Sequence, residues 1–301
     1  MIEFPVSGVE TYWWLPVVVS AAISCLTSPA GLSGAFLLLP FQVSVLGYTS
    51  PGVTPTNLIF NIVAIPGGVY RYAREKRMVW PLVWTIAIGT IPGLVLGVVA
   101  RVKLFPDPDL FKLFVGLVLL YIAGRLILDI WKPTPSHGNA IEVNKGFEVT
   151  LRMFNARRMI YDFNGERFRV STPAVFILSL VVGMIGGIYG IGGGAIIAPF
   201  LVTIFGLPVH SVAGAALCGT FISSVAGVLI YLFLAPAVFA TGHEARPDLL
   251  LGLMLGVGGM IGVYTGSRLQ RYLPARVIKT ILAALMLFVS LKYVIGYFQS
   301  P

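Results

Sequence analysis

Charge is what this chain has least of. Only 11% of its 301 residues are Asp, Glu, Lys or Arg, against about 25% in an ordinary soluble domain. Such a chain cannot cover itself with a water-facing surface, which excludes a soluble globular fold. No carboxylate stands well inside any apolar run, and this argues against a proton relay of Glu or Asp at membrane depth. Cysteine is nearly absent. Cys25 and Cys218 both lie in apolar segments without metal-ligand spacing, so inert buried thiols are expected rather than a disulfide framework or a metal site. The three histidines, His137, His210 and His243, are scattered and form no metal-ligand set. Basic residues are missing from the start of the chain, where the first is Arg71. The N-terminus therefore has no positive n-region of a signal peptide.

What the chain does have is apolar length. It is 57% hydrophobic, its mean hydropathy is +0.89, and several apolar runs approach 20 residues. That is the signature of a polytopic membrane protein. A backbone in lipid must satisfy its own hydrogen bonds, so the runs are helices. The net charge of +9 comes with no recognition motif for nucleic acid and reads as basic loops that fix orientation.

A repeat organises the chain. Residues 31–41 (GLSGAFLLLPF) and 190–200 (GIGGGAIIAPF) align without a gap when the chain is slid by 159 positions, placing Gly31 on Gly190, Gly34 on Gly193 and Pro40 on Pro199. The register continues through Gly47 on Gly206, Leu58 on Leu217 and Gly68 on Gly227, so the unit is duplicated.

Within each unit the order of segments is the same. Residues 12–26 and 32–46 are short apolar runs around a breaker cluster at 27–31. At 1.5 Å per residue each spans only about 22 Å of a ~30 Å core, so the pair reads as two half-helices. Residues 53–70, 80–100 and 110–131 are expected to cross the membrane, with Gly89, Gly93 and Gly97 on one face of the second of these for close helix contact. The second half repeats this as short runs at 174–188 and 194–205, then spans at 211–232, 249–265 and 275–298, where Gly258, Gly262 and Gly266 match the glycine face. Between the halves, residues 132–172 carry seven basic and four acidic residues. Asn164-Gly165 between alternating runs predicts a β-hairpin with a type I′ turn. The expected organisation is a first membrane repeat (1–131), a cytoplasmic β-hairpin insert (132–172) and a second membrane repeat (173–301).

Orientation follows from charge. If each short pair is re-entrant, each half crosses three times and the halves are inverted. One side then holds fifteen basic residues and the other four. Parallel halves would give twelve against seven. The positive-inside rule favours inversion, with the N-terminus outside and the insert cytoplasmic in a multi-pass cell (inner) membrane protein. The fold expected is thus all-α and polytopic: two inverted repeats, each a re-entrant half-helix pair plus three transmembrane helices, with a small β insert. Inverted repeats with broken helices are an architecture of secondary transporters, whose substrate sits at the midplane.

The glycine-rich short pair ending in Pro199-Phe200, the following helix with a polar Thr/Asn or Thr/Ser set, and the Gly-x3-Gly helix all recur in both halves. In these features the chain resembles the sulfite exporter TauE/SafE family of membrane transporters, over nearly everything except residues 132–172. The resemblance implies transport of small sulfur-containing or organic anions such as sulfite, sulfonates, sulfoacetate or thiosulfate. The first half departs from the pattern, with Ser33 and Ala35 where the second has Gly192 and Gly194.

An anion at membrane depth needs donors. Glycine-rich turns at Gly31, Ser33, Gly34 and at Gly190, Gly192, Gly193, Gly194 leave backbone N–H groups at helix starts, where the dipole favours negative charge; the other reading is that these glycines only allow tight packing. Ser24, Thr27, Ser28, Thr56, Asn57 and Asn61 in the first half, and Thr220, Ser223 and Ser224 in the second, offer side-chain donors or, alternatively, interhelical glue. Tyr189 abuts the second turn and is a candidate cap. Arg125 and Lys292 occupy equivalent positions near helix ends, where snorkelling accounts for them; Asp129 is placed to pair with Arg125. The substrate-binding candidates are Ser28, Gly31, Ser33, Gly34, Thr56, Asn57, Asn61, Tyr189, Gly190, Gly192, Gly193, Gly194, Thr220, Ser223 and Ser224. No catalytic residue, metal or cofactor is expected. The partners expected are a small anionic substrate and the lipid bilayer, not nucleic acid; a homo-oligomer is compatible with the sequence. Two other readings stand beside a secondary transporter. An anion channel would need a charged pore ring, which is not visible. A membrane-embedded thiol-dependent transferase would need a basic partner near Cys25 or Cys218.

Overall fold

The computed structural model describes residues 1–28, 32–76, 78–131, 149–163, 165–234, 245–269 and 275–299. A short hairpin, β1 (Ile2–Phe4) and β2 (Val9–Thr11), precedes the helices. The first half then runs through α1 (Trp14–Thr27), α2 (Ala35–Ser44), α3 (Val53–Ala64), α4 (Pro66–Arg74), α5 (Trp80–Lys103) and α6 (Pro108–Trp131). A three-stranded antiparallel sheet follows, β3 (Val149–Phe154), β4 (Arg158–Phe163) and β5 (Glu166–Ser171). The second half holds α7 (Thr172–Tyr189), α8 (Gly193–Thr203), α9 (Val209–Leu229) continued by a π-helical turn (Ile230–Leu234), α10 (Leu249–Leu269) and α11 (Ala275–Gln299).

Among the described residues, six helices are long and apolar enough to cross a membrane: α5, α6, α7, α9 with its π turn, α10 and α11. The expected number is met, but the allotment differs. Residues 53–70 form no single span, because Pro66 has no N–H to carry the α3 ladder onward and instead starts α4. Conversely, α7 reaches 18 residues, beginning directly at the end of β5 with Pro173 in its first turn, where a missing N–H costs no ladder bond. In the short pair of the first half, α1 has 14 residues, close to the run at 12–26, while α2 has only 10 and occupies the middle of the run at 32–46.

The glycine faces do what their spacing implies, but across the halves. A Cβ at Gly89, Gly93 or Gly97 of α5 would run into Phe176 and Ser179, Leu180, or Met184 of α7, in ascending order. A Cβ at Gly258, Gly262 or Gly266 of α10 would run into Val17, Ala21 or Cys25 of α1. Each half's first helix therefore lies parallel against the glycine face of the other half. The same reading of contacts gives the remaining directions. Gly252 and Gly256 of α10 meet Ile59 and Val63, so α3 is parallel to α10. Gly219 and Gly227 of α9 meet Ile86 and Leu94, so α5 is parallel to α9. Gly227 also meets Leu58, while Leu217 meets Gly68 in α4, so α3 and α9 are antiparallel. Ser290 Oγ donates to Gly116 O at 2.7 Å, and residues 109 and 112 share a cavity with 293, 296 and 297, so α6 and α11 are antiparallel.

The insert contains the expected hairpin. β4 and β5 pair from Arg158↔Ser171 to Phe163↔Glu166, and Gly165 takes φ +86° in the two-residue connection. β3 adds a third strand. The sheet is not free of the membrane portion: Met159, Tyr161 and Phe163 alternate inward on β4, and Tyr161 Oη lies 3.1 Å from Ser211 Oγ at the start of α9. Burial pushes the Tyr161 hydroxyl up to about 12. The N-terminal hairpin, not expected from three-residue strands, is latched to the first turn of α10. Ser7 N and Oγ both donate to Asp248 Oδ2, at 3.1 and 2.8 Å, while Asp248 Oδ1 caps Leu251 N at 3.0 Å. Asn164, Arg77, His137, His243 and the Asp129 side chain, which the pairing with Arg125 requires, lie outside what is described.

Candidate functional site

The site grows from the end of α7. A helix leaves its last carbonyls without partners, and here that end is buried. Gly190 takes φ +84° and Gly192 φ +75°, conformations that glycine adopts without penalty, and the chain doubles back so that α8 begins at Gly193. Four carbonyls of this end receive side-chain donors. Tyr231 Oη donates to Gly187 O at 2.9 Å, Thr54 Oγ1 to Ile188 O at 3.0 Å, Asn57 Nδ2 to Gly190 O at 3.0 Å and Asn61 Nδ2 to Ile191 O at 3.1 Å. Thr54, Asn57 and Asn61 are spaced i, i+3, i+7, so one stripe of α3 presents all three. The first half thus caps a broken helix of the second.

The same two asparagines hold the other turn. Asn57 Nδ2 also donates to Ala35 O at 3.1 Å, and its Oδ1 accepts from Gln42 Nε2 at 3.1 Å. Asn61 Oδ1 accepts from Ser33 Oγ at 3.0 Å. Both N–H donors of Asn57 are consequently spent on protein carbonyls in this conformation, and it acts as a clamp between the starts of α2 and α8. Ser33, Asn57, Asn61, Gly190 and Gly192–Gly194 come together as the sequence suggests. Tyr189 joins them through its hydroxyl, which donates to Phe36 O at 2.7 Å.

The second flank of the turn is built from hydroxyls. Gly193 N donates to Ser223 Oγ at 3.0 Å, and Thr220 Oγ1 donates to Ala216 O at 2.9 Å. Three buried hydroxyls have no hydrogen-bond partner among the described residues: Ser24 Oγ, Thr90 Oγ1 and Ser224 Oγ. Each faces a turn glycine. A Cβ on Gly34 would stand 2.7 Å from Ser24 Oγ, one on Gly192 3.0 Å from Ser224 Oγ, and one on Gly193 2.9 Å from Thr90 Oγ1. Orphaned buried hydroxyls are uncommon because desolvation without a bond costs about 1–3 kcal/mol each. Their joint presence around two helix starts makes a cradle of buried hydroxyls with no carboxylate bonded to it among the described residues.

Thr90 lies near the middle of α5, and Ser224 near the middle of the Ser211–Leu234 span that α9 forms with its π turn, so the cradle sits near the centre of the bundle. Ser24, Asn57, Asn61, Thr90, Thr220, Ser223 and Ser224 are all buried, and Ser33 is half-buried. Two candidates fall elsewhere. Thr56 Oγ1 donates to Gly52 O at 2.8 Å and accepts from Asp248 N at 2.8 Å, on a different face of α3 from Thr54, Asn57 and Asn61. Ser28 Oγ reaches Val263 O at 3.5 Å. Gly31 lies outside the described residues. The structure adds Thr90, Thr54 and Gln42, which sequence reasoning did not single out. Thr54 was legible as the first member of the i, i+3, i+7 stripe, and Gln42 as the one amide within α2. Nothing in the sequence pattern marks Thr90. Lys292 is exposed, lining a cavity with Ser44, Asp109, Lys112 and Tyr293 away from the cradle.

Comparison with known proteins bears on the same architecture. Residues 17–293 match the model of a family described as Sulfite exporter TauE/SafE. The chain is 24% identical over 284 residues to the probable membrane transporter protein YjnA of Bacillus subtilis (strain 168), covering 92% of this chain and 98% of that protein. It is 23% identical over 287 residues to the probable membrane transporter protein YunE of the same strain, covering 92% and 96%. Similarity to the probable membrane transporter protein MamO of Magnetospirillum gryphiswaldense is 24% over 265 residues, covering 87% of this chain but 41% of that protein. No solved structure matches the chain.

Proposed function

The chain belongs to the sulfite exporter TauE/SafE family of membrane transporters, and we propose that it moves a small sulfur-containing oxyanion, of the sulfite, sulfonate or thiosulfate class, across the cell membrane by alternating access at a mid-membrane site. The observation that carries this reading is the cradle of unpartnered hydroxyls, Ser24, Thr90 and Ser224, aimed at glycines where α2 and α8 begin. A sulfur oxyanion is an acceptor on every side. It is matched by O–H and N–H donors at helix starts and repelled by carboxylates, and the cradle has the first without the second.

The alternating part of the mechanism draws support from helix direction. Counterparts in the two halves run oppositely: α3 against α9 and α6 against α11. This is what a pair of inverted repeats requires. In such a pair the first helix of each half slides on the glycine face of the other, and the Asn57 and Asn61 bonds across the cradle break on one side as they hold on the other. The basic end of α4 and the β insert then face the cytoplasm.

The unpartnered hydroxyls give a direct test. Hydrogen bonds to charged groups are worth about 1.5–3 kcal/mol, so removing two should raise the concentration for half-maximal uptake by at least roughly a hundredfold. In proteoliposomes taking up radiolabelled sulfite or thiosulfate, the Thr90→Val, Ser224→Ala double variant is expected to show that rise with unchanged thermal stability, since neither group bonds the protein. Wild-type half-saturation in the variant would remove the cradle from the transport path.

A further inference from the structure

One charge in the bundle has no structural use for its full donor set. Arg101 follows Gly97 by four residues and so extends the glycine face of α5. It is 0% exposed, the largest fully buried side chain of the protein among the described residues. Its Nε donates to Thr54 Oγ1 at 3.3 Å, its Nη1 donates to Phe105 O, and its guanidinium lies 3.7 Å over the Phe111 ring. Among the described residues, Nη2 has no hydrogen-bond partner and no carboxylate pairs with the group. Snorkelling does not account for it, because a snorkelled head reaches water. Capping the end of α5 uses Nη1 alone. An ionised arginine held in a membrane bundle without a counter-charge is costly, and such residues face substrate or ion pathways.

Its surroundings lead to the cradle. Thr54, which receives Nε, is the residue whose hydroxyl holds Ile188 O and whose carbonyl would stand 2.5 Å from a Cβ on Gly190. Beside it, α9 loosens into a π turn at Ile230–Leu234, from which Tyr231 reaches Gly187 O; π segments are rare and concentrate at functional sites. Eleven residues of α5 separate Arg101 from Thr90, about 16 Å at 1.5 Å per residue, so Arg101 lies outside the ring of hydroxyls. The charge is also single: at the spacing that relates Gly97 to Gly266, the second half has Gln270.

We infer that Arg101 is the fixed positive charge of a second anion-binding position, which receives the oxyanion between the Lys103 end of α5 and the turn at Gly190. The guanidinium fork pairs two of its N–H groups with two oxygens of one anion, a match that a lysine ammonium cannot reproduce. This rests on the transporter reading above, and its test separates the two. In proteoliposomes, Arg101→Lys is expected to raise half-saturation for sulfite about tenfold and Arg101→Gln about a hundredfold, while both keep wild-type thermal stability within a few degrees. Wild-type half-saturation in folded Arg101→Gln overturns the assignment and leaves the transporter reading standing. Selenite, which has the shape and charge of sulfite, locates the site in the unmodified protein. Crystals of wild-type protein grown with it should give an anomalous selenium peak at hydrogen-bond distance from Arg101 Nη2. A peak there supports the position even where wild-type uptake is absent or the variants do not fold; selenium found only elsewhere, or not at all, overturns it.

Discussion

Gly93→Val is expected to prevent the two halves from assembling. The Cβ of any residue at 93 would overlap the backbone carbonyl of Leu180, and its other neighbours, Leu180 C at 2.8 Å and Met184 N at 3.0 Å, are backbone too. No rotamer can move them aside. The opposing surface is equally closed, since Gly97 and Gly187 approach so nearly that a Cβ on either meets the other's Cα, at 2.9 and 3.1 Å. Relief requires α5 and α7 to separate along their shared length. Overpacking of this kind costs about 3 kcal/mol at the upper end of its usual range, a large part of the ~5–15 kcal/mol that holds a typical fold. A fall in melting temperature of at least roughly 6–12 °C, with loss of the monodisperse peak in detergent, is the expected outcome. Gly124→Ala, where nothing lies within 4 Å of the new Cβ, should behave as wild type. A stable, monodisperse Gly93→Val protein would mean that the α5–α7 contact does not join the halves.

Asn57→Leu should act on stability before it acts on transport. The substitution keeps size but removes the Asn57 partner of Ala35 O, Gly190 O and Gln42 Nε2, all within a fully buried environment. Hydrogen bonds between membrane helices average only ~0.6 kcal/mol. The loss here is larger because Ala35 O and Gly190 O at two buried helix ends lose their side-chain donor at once, while Gln42 Nε2 keeps only Leu38 O, and unpaired buried groups cost about 1–3 kcal/mol each. A destabilisation of about 3 kcal/mol or more is expected by thermal unfolding in detergent. Set beside Thr90→Val, Ser224→Ala, this separates the two kinds of polar residue in the cradle: those that hold the turns and those that face them. Asn57→Leu with wild-type melting would remove the clamp role.

Much of this was legible in the sequence. The second glycine turn marked the break between α7 and α8, because a turn that doubles back inside a bundle needs φ > 0 and tight approach, which glycine supplies at Gly190 and Gly192. The Gly-x3-Gly faces announced close helix contact, and the Asn-Gly pair announced the β4–β5 hairpin. What periodicity cannot give is the partner. Gly89, Gly93 and Gly97 could have met any helix; that they meet the first helix of the other half is a tertiary fact. For the same reason Asn57 reads equally as ligand or glue until its acceptors are seen. Arg101 was hidden by its position. Two residues from the end of α5 it looks like a loop charge, and only its burial sets it apart. Pro66 was a clear break signal that an otherwise apolar run from 53 to 70 obscured.

Counterflow in proteoliposomes tests the transport reading most directly. Vesicles preloaded with unlabelled sulfite or thiosulfate are diluted into a trace of the radiolabelled anion. A protein that exposes one central site alternately to each side exchanges internal anion for external label, so label should rise transiently above its equilibrium level and then decay. Label that enters only monotonically, at a rate indifferent to preloading, would contradict alternating access and identify an open anion pathway instead.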